Sequence, residues 1–194
     1  MAGTLRRPTG DETRSALKGA ALRVFRTRGY QSAGLDEIGR GLGITRSAVL
    51  FHFGSKADLL REVVEPFETD IDRVLDVDLR LAPLTALRRR RLIRGVLECY
   101  LAHRDVLRLI AQDVTCHSPL GIDERIAARR GRMYHLLAGP APTASDTAVI
   151  DAALGVLTVP LFSPHFEPTP DVLDALVDSA VLVVRRVQRV RRCT

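Results

Sequence analysis

The sequence has no tryptophan, only two methionines, and only two lysines, Lys18 and Lys56, among its 29 basic residues. No segment reaches the roughly 20 uninterrupted apolar residues of a membrane span, and the polar N-terminus lacks the apolar stretch of a secretory signal. These absences predict a cytoplasmic protein. The three cysteines, Cys99, Cys116 and Cys193, are odd in number and widely spaced, which favours reduced thiols over a disulfide framework or a zinc knuckle.

The positive charge of the chain is concentrated near its N-terminus. Residues 1–60 contain ten Lys or Arg and five Asp or Glu, whereas residues 61–194 contain nineteen and eighteen, within a net charge of +6. This asymmetry indicates an N-terminal module that meets a polyanion, either nucleic acid or an acidic membrane surface, joined to a neutral body.

Apolar residues recur at helical spacing along almost the whole chain, and no segment alternates with a period of two. The sequence therefore predicts an all-α protein of about nine helices. Pro66 interrupts the pattern of the fourth helix and predicts a kink there. The predicted helices cover about 9–29, 35–42, 45–52, 55–75, 83–103, 105–115, 121–138, 145–161 and 170–191.

The last two predicted helices are apolar on two faces. In the final helix, Val177 and Ala180 belong to one apolar stripe, and Val172, Leu182 and Val183 to a second. A surface helix needs only one such stripe, so the second requires another partner. Two-fold pairing of these helices in a homodimer would supply it, and the alternative is that both helices lie inside the monomer core.

The segment 35–56 has the spacing of a helix-turn-helix motif. Gly39 would allow two short helices to approach closely, Gly43 would supply the turn, and Thr45 would cap the second helix. The apolar contacts between the two helices are assigned to Ile38, Leu42, Ile44, Val49 and Phe53.

At these residues the sequence resembles the TetR family of transcriptional regulators. The resemblance rests on Gly29-Tyr30, Ile38, Gly43-Ile44-Thr45, Val49, His52-Phe53 and Ser55-Lys56-Ala57-Asp58-Leu59. It covers about 50 residues and implies a homodimer with a three-helix DNA-binding domain at residues 1–54 and a helical effector-binding and dimerisation domain at residues 55–194.

The resemblance places DNA contacts on the second, third and fourth helices. Arg46 is expected to read a guanine, His52 and Lys56 to contact phosphate, and Val49 and Phe53 to belong to the core. The family's recognition-helix tyrosine is Leu50 here, and its two hydroxyl residues before the second helix are Ala33 and Gly34. The predicted DNA-binding residues are Gly34, Thr45, Arg46, Ser47, Ala48, Leu50, Phe51, His52 and Lys56.

The body is expected to hold an effector pocket, whose lining residues could equally be plain core. The candidates are Phe67, Leu97, Tyr100, Leu101, His103, Met133, Leu136 and Leu137. No metal-ligand spacing and no catalytic triad pattern occurs in the sequence, so no metal, cofactor or enzymatic activity is predicted. The run Arg88–Arg91 is interpreted as solvated, because four consecutive helical residues cannot share one face.

The predicted function is an operator-specific transcriptional regulator, a repressor that a small molecule releases from a palindromic DNA site. A second hypothesis is a nonspecific or architectural DNA-binding protein without a ligand. A third is a helical enzyme or carrier that happens to contain a helix-turn-helix.

Overall fold

A computed structural model describes the backbone of residues 9–190 and the side chains of residues 9–187. All regular structure in this part of the chain is helical, with no strand, which confirms the predicted fold class. There are ten α-helices in the described range: α1 (Gly10–Arg28), α2 (Leu35–Arg40), α3 (Arg46–Phe53), α4 (Lys56–Leu75), α5 (Ala86–Ala102), α6 (Arg104–Gln112), α7 (His117–Leu120), α8 (Ile122–Ala138), α9 (Ala144–Phe162) and α10 (Pro170–Val190). The helix beyond the predicted nine is the four-residue α7.

Capping residues set several of the helix starts, as the sequence predicts. Thr9 and Glu12 form a reciprocal capping box at the start of α1, and the Thr45 side chain accepts the amide of Ala48 at the start of α3. At α4 the Ser55 hydroxyl accepts the Asp58 amide at 3.1 Å. These bonds satisfy amides that the helices leave without intrahelical partners.

Three helix boundaries differ from the predicted ones because capping side chains fix them elsewhere. The fifth helix begins after its cap Thr85 rather than at Pro83, and α9 begins after Thr143, which forms a capping box with Asp146. The sixth helix ends at Gln112, and a 3-10 turn follows it. Cys193 and the predicted helix end at residue 191 lie outside the described residues.

The chain divides into two compact units. One unit contains the chain up to Pro66 together with Asp105–Ile122, and the other contains Phe67–Arg104 and the chain from Asp123 onward. The divisions fall inside α4, after its interior Pro66, and inside α6. The functional division predicted at residue 54 therefore does not coincide with the compact unit, and it stays a prediction.

The first unit is built around the inner faces of the first four helices. Leu17, Phe25, Ile38 and Leu59 are among its fully buried side chains, and each lies where the helical period predicts an apolar contact. Burying these side chains is what fixes α2 and α3, since helices of six and eight residues are not stable alone.

In the second unit, α9 and α10 pack against each other and against α5. Ile150, Leu157, Val177 and Val184 are completely or almost completely buried. The second apolar stripe of each helix faces away from this core, so the expectation that both stripes lie inside the monomer is wrong for the described residues. The outward apolar residues, exposed or half-buried, are Ala148, Ala152, Val156, Val159, Val172, Ala175, Leu182 and Val183.

Helix α9 is the one described helix that is long and apolar enough to cross a membrane, with a mean hydropathy of 1.4 in its most apolar window. This statement rests on the length and the composition of the helix alone. Its inner stripe packs on neighbouring helices, and 28% of the window is buried in the structure.

Candidate nucleic-acid interface and effector region

Helices α2 and α3 cross at Gly39, as the sequence predicts. A side-chain carbon on Gly39 would lie 2.1 Å from the Ile44 carbonyl oxygen and 3.3 Å from a methyl group of Val49. The Ile44 amide donates to the Gly39 carbonyl at 3.0 Å, and Gly43 adopts the left-handed φ of 64° that the turn requires. This is the geometry of a helix-turn-helix motif.

The inner residues of the motif are those predicted, with one exception. Ile38, Val49 and Phe53 are buried and Ile44 is half-buried. Leu42 was predicted to be a packing residue, and this is wrong: it is 38% exposed, because α2 ends at Arg40 and Leu42 lies in the turn.

The outer face of α3 is mostly exposed in the described part of its unit. Arg46 and Ser47 occupy its first turn, and Leu50 and Phe51 follow one turn later, at i and i+4 spacing. Phe51 is 87% exposed, which is unusual for a large apolar side chain. The exposed members of the predicted set on or next to α3 are Thr45, Arg46, Ser47 and Phe51, and the half-buried ones are Ala48, Leu50 and His52.

Arg14 of α1 binds the C-terminal end of α3, a contact that the sequence analysis did not predict. Its guanidinium donates to the His52 carbonyl, pairs with Glu62 through Nε at 2.9 Å, and lies 4.7 Å from the centre of the Phe53 ring. The His52 ring itself is half-buried and packs edge-on against Phe51, with ring centres 5.8 Å apart.

Lys56 is bound within the unit. Its ammonium donates to the carbonyl oxygens of Tyr30 at 2.8 Å and of Gln31 and Ala33 at 3.0 Å, and lies 4.7 Å from the centre of the Tyr30 ring. An ammonium has three N–H donors, so the predicted phosphate contact requires one of these bonds to be given up. The loop that Lys56 holds leads into Gly34, which is the N-cap of α2 and has no side-chain cap.

Asp113 holds the same loop from the segment after α6. Its carboxylate accepts the Tyr30 amide and the Thr115 amide, the latter at 3.0 Å, and lies 3.4 Å from where a side-chain carbon of Gly29 would stand. Burial acts to raise the pKa of Asp113, but hydrogen bonds from Thr115 and Tyr30 lower it, and the net pKa lies below the ordinary value. Tyr30 is therefore held at its amide by Asp113 and at its carbonyl by Lys56.

The described interior of the second unit includes a region lined by apolar side chains. It contains an apolar cavity of about 10 Å³, which is close to the room that one water molecule needs. Of the predicted pocket residues, Met133 and Leu137 line this cavity, and Leu97, Leu101 and Leu136 do not. The other lining residues come from α5, α9 and α10 and were not among the predicted pocket residues: Ile93, Val96, Ile150, Ala153, Leu154, Leu157, Ala180 and Val184.

The remaining predicted pocket residues form a separate cluster. The ring of Phe67 lies 6.3 Å from that of Tyr100 and 5.8 Å from that of His103, and His103 Nε2 lies 2.8 Å from a carboxylate oxygen of Asp70. Hydrogen bonds from His103 and Arg73 lower the pKa of Asp70, and burial raises the pKa of Tyr100 to about 12. The cluster carries polar groups that the apolar cavity lacks.

Arginines of α8 bind the second half of α4. Arg129 pairs with Asp72 at 2.7 Å and with Glu68 at 3.2 Å, and Arg125 also pairs with Glu68. Arg132 donates to the Leu75 carbonyl at 2.6 Å. Met133 and Leu137 of the same helix line the cavity, so one helix touches both features.

The run Arg88–Arg91 departs from its predicted solvated state. Arg88 and Arg91 are exposed, and the four side chains do point in different directions. Arg90, however, pairs with Asp178 of α10, and Arg89 is buried with 3% exposure. The period alone could have placed Arg89 inward, since it shares a stripe with Ile93 and Val96.

Together these features define a helix-turn-helix protein with an all-helical body. Residues 19–63 match the family described as bacterial regulatory proteins, tetR family. The resemblance to the TetR family that the motifs predict is thereby confirmed over the segment that contains the helix-turn-helix.

Comparisons along the sequence and the fold agree with this assignment. The regulator AcrR of Shigella flexneri is 42% identical over 60 residues, which are 31% of this chain and 28% of AcrR. The probable regulator ArpR of Pseudomonas putida is 26% identical over 166 residues, 74% of this chain and 79% of ArpR. The crystal structure of a TetR-like transcriptional regulator from Rhodococcus superposes on this chain with a TM-score of 0.68. The two sequences are 21% identical, and the match covers 93% of this chain and 97% of that one.

The identity to AcrR is confined to less than a third of that protein's length, so the similarity concerns the DNA-binding end. The match to the Rhodococcus structure extends the shared fold to the body without extending the shared function.

Proposed function

We propose that this chain is an operator-specific DNA-binding transcriptional regulator, a cytoplasmic repressor that a small molecule releases from DNA. The observation that carries the proposal is the outer face of α3, where Arg46, Ser47 and Phe51 are exposed on a helix fixed from behind by Val49 and Phe53. A rigid helix with a free polar and apolar face is the form in which a protein reads the major groove.

The chemistry of that face suggests what each side chain reads. Arg46 suits bidentate recognition of a guanine, and Ser47 suits a hydrogen bond to a base or a phosphate. Phe51 and Leu50 can contact only apolar groups, for which thymine methyls are the partners in the groove. Phe51 packs edge-on against the His52 ring but is 87% exposed, so most of its surface is available for such a contact, which supports this assignment.

Phosphate contacts are assigned to the residues around the face. Thr45, Ala48 and His52 flank the outer stripe of α3, and Gly34 lies at the open N-terminus of α2, where backbone amides face outward. Lys56 acts in this proposal mainly by fixing the loop that precedes Gly34.

We assign the outward apolar faces of α9 and α10 to a homodimer contact. Val159 is 68% exposed and Leu182 is 64% exposed, on helices whose inner faces are already packed. Two-fold pairing would cover both faces, and it would set two recognition helices about 34 to 36 Å apart on a palindromic site. A soluble dimer also accounts for the apolar character of α9 without a membrane.

Control by an effector is assigned to α8 and α4. Helix α8 lines the cavity with Met133 and Leu137 and binds α4 through Arg129, so a ligand that opens the cavity displaces α8 and pulls on Asp72 of α4. The same α4 continues past Pro66 into the unit that holds the helix-turn-helix. The ligand then lowers DNA affinity by its preference for the displaced state, on the order of 1 to 3 kcal/mol, and operator DNA weakens the ligand equally.

The test begins with sequencing DNA fragments that the purified protein retains, which gives a candidate operator. Wild type, Arg46→Ala and Arg40→Ala are then titrated against that duplex and a scrambled one at fixed salt. Arg40 is the matched control, because it is an exposed arginine on α2 outside the proposed reading face. We expect wild type to prefer the operator by roughly 10³-fold or more, and Arg46→Ala to lose about 1 to 3 kcal/mol on the operator alone.

Equal loss on both duplexes would contradict base reading by Arg46. A wild-type preference below tenfold would instead support the alternative of a nonspecific or architectural DNA-binding protein. Loss of operator binding in Arg40→Ala as large as in Arg46→Ala would move the interface away from α3.

A further inference from the structure

Arg89 on α5 is a buried cation without a counter-charge. Only Arg89 and Asp146 are buried polar or charged residues in the described part of the chain. The Asp146 carboxylate caps α9 by accepting the Thr143 amide at 2.9 Å, whereas Arg89 forms no ion pair with any described residue. Arginine keeps its proton in proteins, so the charge remains, and an uncompensated buried charge is strongly destabilising.

The guanidinium of Arg89 also leaves a donor unused. Its Nη2 donates to the Leu84 carbonyl at 3.3 Å, and its Nε is the buried side-chain nitrogen that has no hydrogen-bond partner among the described residues. Buried donors are nearly always satisfied in folded proteins, so each exception requires an explanation. Nε and a terminal nitrogen together form the edge of arginine that binds a carboxylate with two hydrogen bonds.

The charged groups near Arg89 do not neutralise it, since one is a second arginine and the nearby acids pair with other arginines. Burial and then the nearby Arg185 lower the pKa of Arg89. The acids that α10 turns toward α5 are already engaged, since Asp178 pairs with Arg90 and Asp174 with Arg94. An anion at Arg89 would therefore have to come from outside the described residues.

Arg89 lies on α5 one helical turn before Ile93, the first residue of that helix to line the apolar cavity. It shares a stripe of α5 with Ile93 and Val96, both of which line that cavity. Arg89 donates a hydrogen bond to the Leu84 carbonyl. The Leu84 amide in turn donates to the carbonyl of Leu136 on α8 at 2.9 Å, and Leu136 precedes the cavity residue Leu137. An apolar cavity with a single polar anchor is the form of a small-molecule site.

We propose that Arg89 recognises the acidic group of the effector, which is a small apolar carboxylic acid whose hydrocarbon part enters the cavity between α5, α8, α9 and α10. The proposal rests on the function proposed above, since it names the ligand class of that regulator. The cavity holds only about 10 Å³, so the acid enters by moving side chains apart rather than by filling an open pocket.

The first experiment needs no ligand and compares Arg89→Met with Arg88→Met and Arg91→Met by thermal and urea unfolding of the full chain. Methionine matches the length of arginine without its charge. We expect Arg89→Met to raise the unfolding midpoint, because it removes a charge kept for ligand binding, and the two exposed controls to leave it unchanged. A lowered midpoint in Arg89→Met would overturn the proposal, because Arg89 would then be a stabilising structural residue.

The second experiment measures binding of named probes by calorimetry and thermal shift. The acids are butyrate, hexanoate, octanoate and benzoate, and octanamide and octylamine are the matched neutral and cationic probes. We expect at least one acid to bind saturably, the neutral and cationic probes to bind at least tenfold more weakly, and Arg89→Met to lose at least tenfold in affinity for that acid. Arg88→Met is expected to bind the acid like wild type.

No saturable binding by any acid would overturn the proposal, as would equal binding of octanamide and octanoate or full affinity in Arg89→Met. The regulator function is tested apart from this one, by operator titration of the wild-type protein without any probe. Specific operator binding with no acid response would reject the effector class alone, and acid binding without specific operator binding would reject the DNA function alone.

Discussion

Tyr30 is the residue on which most contacts of the α1–α2 loop converge. Its amide is bound by Asp113, its carbonyl by Lys56, and its ring packs against Lys56 and edge-on against Phe25 at 5.5 Å. Burial raises the pKa of its phenol. A loop in which two charged side chains bind the backbone of one residue has little freedom to move. The position of α2 therefore depends on both Asp113 and Lys56.

Replacing Asp113 by Ala is expected to destabilise the protein, because the half-buried Tyr30 amide and the exposed Thr115 amide lose their acceptor. We expect the free energy of unfolding in urea to fall by about 1 to 3 kcal/mol at pH 7. The folded-state pKa of Asp113 lies below the ordinary 3.8, so its contribution is complete above that pH and is lost as the pH falls through the folded-state value. The difference between the two proteins should therefore shrink below about pH 3.8.

The matched control for this change is Asp105→Ala. Asp105 lies in the same segment and forms only an exposed ion pair with Arg26, which is worth about 0 to 1 kcal/mol. If both variants lost the same stability, the Asp113 contacts would contribute no more than a surface ion pair.

At the scale of elements, the crossing of α2 and α3 depends on the absence of one side chain. Gly39→Ala would place a carbon 2.1 Å from the Ile44 carbonyl, so one helix must move away from the other. We expect a loss of at least about 1 to 3 kcal/mol of unfolding free energy and a larger proportional loss of operator binding, because α3 is displaced.

Gly41→Ala provides the comparison for Gly39. It lies two residues further on, has ordinary helical backbone angles, and has nothing within 4 Å of the added carbon. It should leave unfolding unchanged or stabilise the protein by about 0.4 to 1 kcal/mol. Similar losses in both variants, measured by urea unfolding, would show that the crossing tolerates a methyl group.

The helix-turn-helix could be predicted closely from the sequence because its determinants are local. Gly39, Gly43 and Thr45 act on residues fewer than eleven positions away, and each does in the structure what its chemistry predicts. Leu42 was misplaced because an apolar residue at a helix end carries no sign of where the helix stops. The family match over residues 19–63 confirms the motif, whereas its DNA contacts stay predictions.

Long-range contacts were the part that could not be predicted. Nothing local to Asp113 indicates that it binds Tyr30, 83 residues earlier, and Arg14 reaches Glu62 across 48 residues. Arg89 differs from these two residues, since its spacing to Ile93 and Val96 is a local signal that places it on the inner stripe of α5. The lining of the apolar cavity was predicted only in part, because it comes from four helices distant in sequence.

At the scale of the whole molecule, the outward faces of α9 and α10 predict the state of assembly. Val183→Glu and Leu182→Glu place a charge on these faces, and we expect either change to convert a dimer into a monomer with unchanged helicity. Light scattering gives the mass, and circular dichroism gives the helicity. Operator binding should be lost with the dimer, because a single recognition helix reads only half of a palindromic site.

Leu81→Glu is the control, since Leu81 is an exposed leucine outside α9 and α10. It should remain a dimer. A dimeric mass with intact binding in Val183→Glu and Leu182→Glu would place the interface on another surface.

The unit that contains the helix-turn-helix is discontinuous in the chain, because Asp105–Ile122 belongs to it. The family match, by contrast, is a continuous stretch that ends at residue 63. A chimaera that joined this stretch to the body of another regulator would bring Tyr30 without Asp113 and would expose the side chains that the second segment covers. Exchange of the whole unit between relatives by recombination therefore requires three crossovers, after residues 66, 104 and 122, whereas point substitutions on the outer face of α3 require none.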